Sequence, residues 1–246
     1  MRPTQETYDE WQLAYHEFNE YLFGGQLPDC LITLQREKST MGYYSRGRFV
    51  NRHGEKTDEI ALNPAYFASY GMREALQTLA HEMTHLWQHH FGTPGRGRYH
   101  NKEWADKMES IGLKPSDTGE EGGKRTGDQM ADFIIAGGVF EQAIERLVGK
   151  GFELKWMDRF VAMTRCGQVS GRESDDQTPP PTAALAMNLG MEVAETEALE
   201  INFSRVTQAK QGNRSKYSCP GCGTNLWGKP GLNIACVDCD MTFDEL

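Results

Sequence analysis

Apolar positions along the chain recur with two periods. In ETYDEWQLAYHEFNEYLF, Trp11, Ala14, Tyr15, Phe18 and Leu22 fall at helical spacing, which predicts an amphipathic helix stopped by Gly24, Gly25 and Pro28. LITLQR alternates and reads as a strand. MGYYSRGRFV and DEIALNP read as two more, the last ending at Pro64, with the polar turn NRHGEKTD between them. From about Arg73 to Phe91 the helical period returns, closed by Gly92 and Pro94. NKEWADKMESIG places Trp104, Met108 and Ile111 on one helical face. FEQAIERLVGKG reads as a helix with a glycine stop, FELKW as a short strand, and PSDTGEEGGKRTGD as a loop. Beyond Arg165 the periodicity fades. GQVSGRESDDQTPPPT has the composition of a linker, AALAMNLGMEVAETEALEINF fits a helix and a strand, and SRVTQAKQGNRSK is a basic connector.

The pattern predicts an α+β domain in which helices pack on a small sheet. Its length of 246 residues suits one medium domain with a small appendage. A net charge of −9 excludes a polycation, so any nucleic-acid contact must come from a local patch. The polar start MRPTQETYDEW lacks an apolar leader core, and no apolar run approaches the ~20 residues of a membrane span. The expectation is an intracellular, cytoplasmic protein with no membrane partner.

The chemistry concentrates in TLAHEMTHLWQHHFG. Here His81, Glu82 and His85 form HExxH. Residues four apart on a helix share a face ~6 Å apart along the axis, so two imidazoles can reach one zinc ion. Glu82, beside the first histidine, is placed as general base toward water at that ion. Chance occurrence of so short a motif is common, and a third protein ligand decides the matter. His89 lies ~12 Å from His81 along the axis, too far for one ion. His90 points off the ligand face, and both suit a helix C-terminus, where a partly charged imidazole is favoured. Gln88 and Phe91 stand where the HExxHxxGxxH extension needs Gly and His. His100, Glu103, Asp106 and Glu109 remain as candidates for the third ligand.

FNEYLFGGQLP, DEIALNP, TLAHEMTHLWQHHFG and YHNKEWADKMESIGL, taken in order, resemble the SprT-like (Spartan-type) zinc metalloprotease family over roughly residues 8–115. The resemblance implies a compact zincin-like fold, and it maps the third metal ligand onto His100. Tyr99 stands where relatives often carry Gly. It also implies an edge strand along the cleft that pairs with extended substrate, for which DEIALNP is the candidate here.

Near the C-terminus, Cys219 with Cys222 and Cys236 with Cys239 make two CxxC knuckles separated by thirteen residues. That spacing predicts a four-cysteine zinc ribbon, a closed structural site whose metal supplies folding energy. Cys30 and Cys166 read as ordinary partly buried thiols. The expected organisation is a protease domain at 1–165, a connector at 166–214 and the ribbon at 215–246.

The expected function is a zinc metalloendopeptidase with two Zn2+ ions, one catalytic and one structural. Proteins are its substrates, and the resemblance adds proteins bound or crosslinked to DNA. Single-stranded DNA is a candidate partner through Arg205, Lys210, Arg214 and Lys216, with Tyr217, Trp227 and Phe243 offered for base stacking. Arg46, Arg48, Arg96 and Arg98 are loop or rim charges flanking the site in sequence. Tyr43, Tyr44 and above all Tyr99 are candidate hydroxyls for an oxyanion. The rival readings are a nucleic-acid-associated adaptor that keeps the fold without proteolysis, and a DNA-independent protease targeted through its ribbon.

Overall fold

The computed structural model describes residues 2–37, 40–158 and 215–246, with the backbone of 160–161 and 204–205. The connector readings, Cys166, Arg214 and the side chain of Arg205 lie outside those residues. Two compact units, Met1–Arg205 and Val206–Leu246, divide the chain.

The first unit is α+β. Helix α1 (Pro3–Phe23) begins at a proline and ends where Gly24 takes φ 67°, a left-handed turn that costs glycine nothing. Its apolar stripe of Trp11, Ala14, Tyr15 and Phe18 is buried. There Trp11 meets Phe67 at a ring separation of 5.2 Å, and Phe18 meets Phe140 at 5.5 Å. Strands β1 (Leu31–Leu34), β2 (Gly42–Val50) and β3 (Lys56–Leu62) form one sheet in the order β1-β3-β2. β1 runs parallel to β3, and β2 runs antiparallel with a register shift between Ser45 and Phe49. The expectation for DEIALNP is therefore corrected. It is the central strand, buried from Asp58 to Leu62, and β2 is the edge. The edge reading came from the family resemblance, and the strand's two acidic residues, Asp58 and Glu59, do not hold it at the surface. Both carboxylates are instead buried against hydrogen-bond donors: Thr33 on β1 serves Glu59, and Tyr44 and Gly47 on β2 serve Asp58.

A 3-10 turn at Pro64–Tyr66, capped by the Asn63 side chain, leads into α2 (Phe67–Phe91). α2 starts six residues before Arg73, and its first turn is broken from the rest at Gly71, φ 93° and ψ 175°. Helix α3 (Lys102–Ser110) is capped by Asn101 and buries Trp104, Ala105 and Met108. It is followed by β4 (Leu113–Ser116), β5 (Ala131–Ile134) and α4 (Val139–Gly149). The β4–β5 antiparallel pair brackets the stretch read as a loop and takes in its first two residues, Pro115 and Ser116. FELKW forms no strand; Phe152 and Leu154 bury alternately into the helical core without a ladder partner. A two-residue parallel pair, β6 (Phe160–Val161) with β7 (Ser204–Arg205), completes the unit.

The second unit holds β8 (Ser215–Ser218), β9 (Asn225–Gly228), β10 (Ala235–Cys236), β11 (Met241–Thr242) and β12 (Asp244–Glu245). They form a three-stranded sheet ordered β12-β8-β9 and a β10–β11 pair. Its core is Tyr217 and Phe243 with Cys219 and Cys236.

Candidate active site

α2 presents His81 and His85 one turn apart, and the corner between α2 and α3 returns the chain so that His100 faces them. The corner is held by polar side chains. Gln88 Nε2 donates to Asn101 Oδ1 at 2.7 Å and to Glu103 Oε2 at 2.9 Å. Glu103 Oε2 also accepts from the Thr93 amide at 2.6 Å, and Asn101 Nδ2 donates to the Thr93 carbonyl at 2.8 Å. Glu103 is thus spent on the turn. Asp106 pairs with Lys102 and Arg125, and Glu109 with Lys114 and Arg125. None of the three joins the imidazole cluster. The structure brings together His81, His85 and His100, with one ring nitrogen from each within 4.8 Å of the others.

His85 Nε2 and His100 Nε2 are 3.1 Å apart. Ligands ~2.0–2.1 Å from a tetrahedral zinc ion stand about 3.3 Å apart, so the spacing fits. Two of the rings have a partner for their second nitrogen. His81 Nδ1 lies 2.8 Å from Asp132 Oδ2, and His100 Nδ1 lies 3.0 Å from the Gly127 carbonyl. Backbone bonds in both directions between His100 and Gly127 reinforce the second contact. Trp104, fully buried, lies beneath the cluster with ring separations of 4.9 Å to His81, 5.4 Å to His85 and 4.4 Å to His100.

Burial, with the charge of neighbouring rings, pushes the His85 pKa well below its ordinary value. The same causes take His100 down to about 4. Both rings are therefore neutral at physiological pH, and neutral imidazole is the form that binds metal. At His81 burial opposes the charged ring, but the Asp132 hydrogen bond and the nearby carboxylates outweigh it and raise the pKa. Glu82 is buried, and that burial lifts its carboxyl to about 7 against the opposing pull of His81 and of the Tyr44 backbone amide. That amide belongs to β2, so the edge strand touches the Glu82 carboxyl directly. The approach needs Gly42: a Cβ there would stand 2.7 Å from Thr78 Cγ2 and 2.9 Å from the Ala61 carbonyl.

The other two histidines of α2 serve the frame. His90 Nε2 lies 2.7 Å from Asp58 Oδ2, and the His89 ring packs 5.1 Å from Tyr44. The Tyr44 hydroxyl is committed to Asp58 and Tyr99 is exposed, as are Arg46, Arg48, Arg96 and Arg98. Asp132 and Gly127 escape a sequence reading, because no periodicity places a hairpin residue against a helix some fifty positions earlier. The one usable signal is chemical: a metal-bound histidine generally donates its second N–H to a carboxylate or carbonyl.

In the second unit the Cys219, Cys222, Cys236 and Cys239 sulfurs lie within 4.8 Å of one another, with Cys222 and Cys236 Sγ 3.8 Å apart. Tetrahedral zinc thiolates stand about 3.8 Å apart, so this cluster is compatible with a zinc ribbon. Thr224 hydrogen bonds bring the Cys222 thiol down to about 6, toward the thiolate that binds metal. A Cβ at Gly221 would meet Cys239 Sγ at 2.9 Å, so the knuckle requires glycine. The base-stacking expectation is corrected here: Tyr217 and Phe243 are the buried core of this unit, and only Trp227, 63% exposed, is free to stack.

The family model for the SprT-like family matches residues 11–120, a span holding α1 from Trp11 onward, the sheet, α2, α3 and all three imidazoles. An uncharacterized protein in the mucB 3′ region of Salmonella typhimurium is 64% identical over 59 residues, 24% of this chain and 80% of that protein. No solved structure matches. With the matched span and the three-imidazole cluster falling on the same elements, residues 11–120 carry a domain of the SprT-like family.

Proposed function

We propose that this chain is a zinc-dependent endopeptidase. The observation that carries the reading is the convergence of His81, His85 and His100 beside Glu82, a buried carboxyl held by the amide of an edge strand. The SprT-like family is generally associated with metallopeptidase activity, which supports the same reading. Zinc in such a site supplies a Lewis acid that polarises a carbonyl and a water. His85 and His100 offer neutral lone pairs to it. Glu82, with a pKa of about 7, takes a proton from water and returns it to the leaving amine, because its two forms are close in energy near neutral pH. The Tyr44 amide steadies its anionic form. β2, with one side unpaired among the described strands, offers backbone donors and acceptors to an extended peptide.

Glu82→Gln keeps the size and removes the basicity. It should retain zinc at the histidine site and cleave a protein substrate ~100- to 10,000-fold more slowly. Cleavage at the parental rate would exclude Glu82 as the base. Proteins held on DNA are the substrate class we favour, on the family resemblance and on four exposed arginines, two on β2 and two in the loop before His100. Cleavage that DNA stimulates at low salt, and loses as salt rises, supports that class; rates indifferent to DNA favour ribbon-directed targeting.

A further inference from the structure

The Asp132 carboxylate is engaged at both oxygens. Oδ2 faces His81 Nδ1 at 2.8 Å, and Oδ1 accepts from Gln77 Nε2 at 2.7 Å. The same Gln77 nitrogen reaches the Asp132 backbone carbonyl at 2.8 Å. Both partners of that nitrogen are acceptors only, so the orientation of the Gln77 amide is settled: an oxygen in its place would find no donor. The Asp132 side chain is 6% exposed and that of His81 13%, so water does not compete for these bonds. Gln77 and His81 sit one turn apart on α2, and Asp132 reaches both from β5.

We propose that Gln77, Asp132 and His81 form a relay that fixes the His81 ring with its proton on Nδ1 and its Nε2 lone pair toward the ion. Asp132 and Gln77 are positioning residues: neither joins the imidazole cluster, and each acts through the next. The relay rests on the reading of His81, His85 and His100 as the metal centre, and it is independent of whether the chain cleaves peptides. Its carboxylate lies outside the span matched by the family model, which ends at residue 120.

The relay makes an asymmetric prediction. In Asp132→Asn, the Gln77 N–H group claims the one remaining side-chain oxygen. The new amide nitrogen is then turned toward His81 Nδ1, which must accept, and the ring proton moves to Nε2, where it blocks the metal. The same isosteric exchange beneath a catalytic histidine is known to fix the wrong tautomer. Removing Gln77 as well frees the asparagine amide to flip and present its oxygen to His81.

The test is zinc affinity of the full-length protein by chelator competition, with the four-cysteine site as internal reference. Asp132→Asn should weaken the histidine site ~10- to 100-fold, the range for loss of an outer partner. Gln77→Ala with Asp132→Asn should regain ~10-fold of that, an improvement that a merely structural role does not give. A second readout needs no metal: long-range proton–nitrogen NMR on the alkaline side of the imidazole titrations should show His81 Nδ1–H in the parent and Nε2–H in Asp132→Asn. Parental affinity in Asp132→Asn, or a double variant no better than the single, overturns the relay. Loss of the parent's own zinc binding, or its survival in His81→Ala, overturns the metal centre instead.

Discussion

Glu82 and Asp58 are both largely buried carboxylates, and they titrate in opposite directions. At Glu82 burial wins and the carboxyl rises to about 7. At Asp58 burial also pushes upward, but the Gly47 amide, His90 and Tyr44 outweigh it and lower the pKa below 3.8. A carboxylate lowered in the folded state stabilises the fold above its unfolded value, and that contribution is lost as pH falls through the folded value. Asp58→Asn should therefore cost about 2 kcal/mol near neutral pH by stranding buried donors. The gap between its urea midpoint and the parent's should close as pH drops below 3.8. A gap that persists at acid pH would show that shape, not charge, is what Asp58 contributes. At this scale the pairing of His81 with His85 was legible because HExxH is a helical-spacing rule. Glu103 looked equally eligible for the third position until the Gln88–Thr93 corner consumed it. Asp132 was illegible, because its role is made by a strand pairing that no local pattern encodes.

Among elements, β2 fits tightly against α2 at Gly42. Gly42→Ala must push the strand off the helix, since neither Thr78 Cγ2 at 2.7 Å nor the Ala61 carbonyl at 2.9 Å leaves room for a methyl group. We expect ~1–3 kcal/mol lost stability from overpacking. Zinc should stay bound while kcat/KM falls, because the Tyr44 amide moves off Glu82. Parental kcat/KM in a folded variant would show that the strand's position does not govern the base. Trp104→Ala, which empties the floor beneath three imidazoles, should cost ~3–5 kcal/mol in thermal or denaturant unfolding and weaken zinc binding; Trp104→Phe should recover much of both. The helices were readable from their apolar stripes. The sheet order was not: local alternation does not say which strand is central, and the resemblance pointed to DEIALNP as the edge. The β4–β5 pair was missed because Lys114, Pro115 and Ser116 lack the β-branched alternation that marks a strand.

In the whole molecule, two units carry two cores. One runs among buried residues from Trp11 to Leu154, the other from Tyr217 to Phe243. Among the described residues no helix is long and apolar enough to cross a membrane. With four buried residues in its core, the second unit should depend on its cysteine cluster for order. Cys219→Ser with Cys236→Ser should release amide exchange across residues 217–243 and leave residues 11–154 as protected as before. Protection lost in both would show one cooperative body. The cysteine cluster of the second unit was legible from its spacing. The first unit also has an order written into it. A ribosome delivers α2 and its two imidazoles first, His100 next, and Asp132 after the turn beyond β4. A nascent chain that has emerged only to residue 120 thus holds three imidazoles with no carboxylate behind His81. On the proposed relay, full metal affinity should arrive only with the β4–β5 hairpin, and a chain cut short of Asp132 should bind the ion weakly.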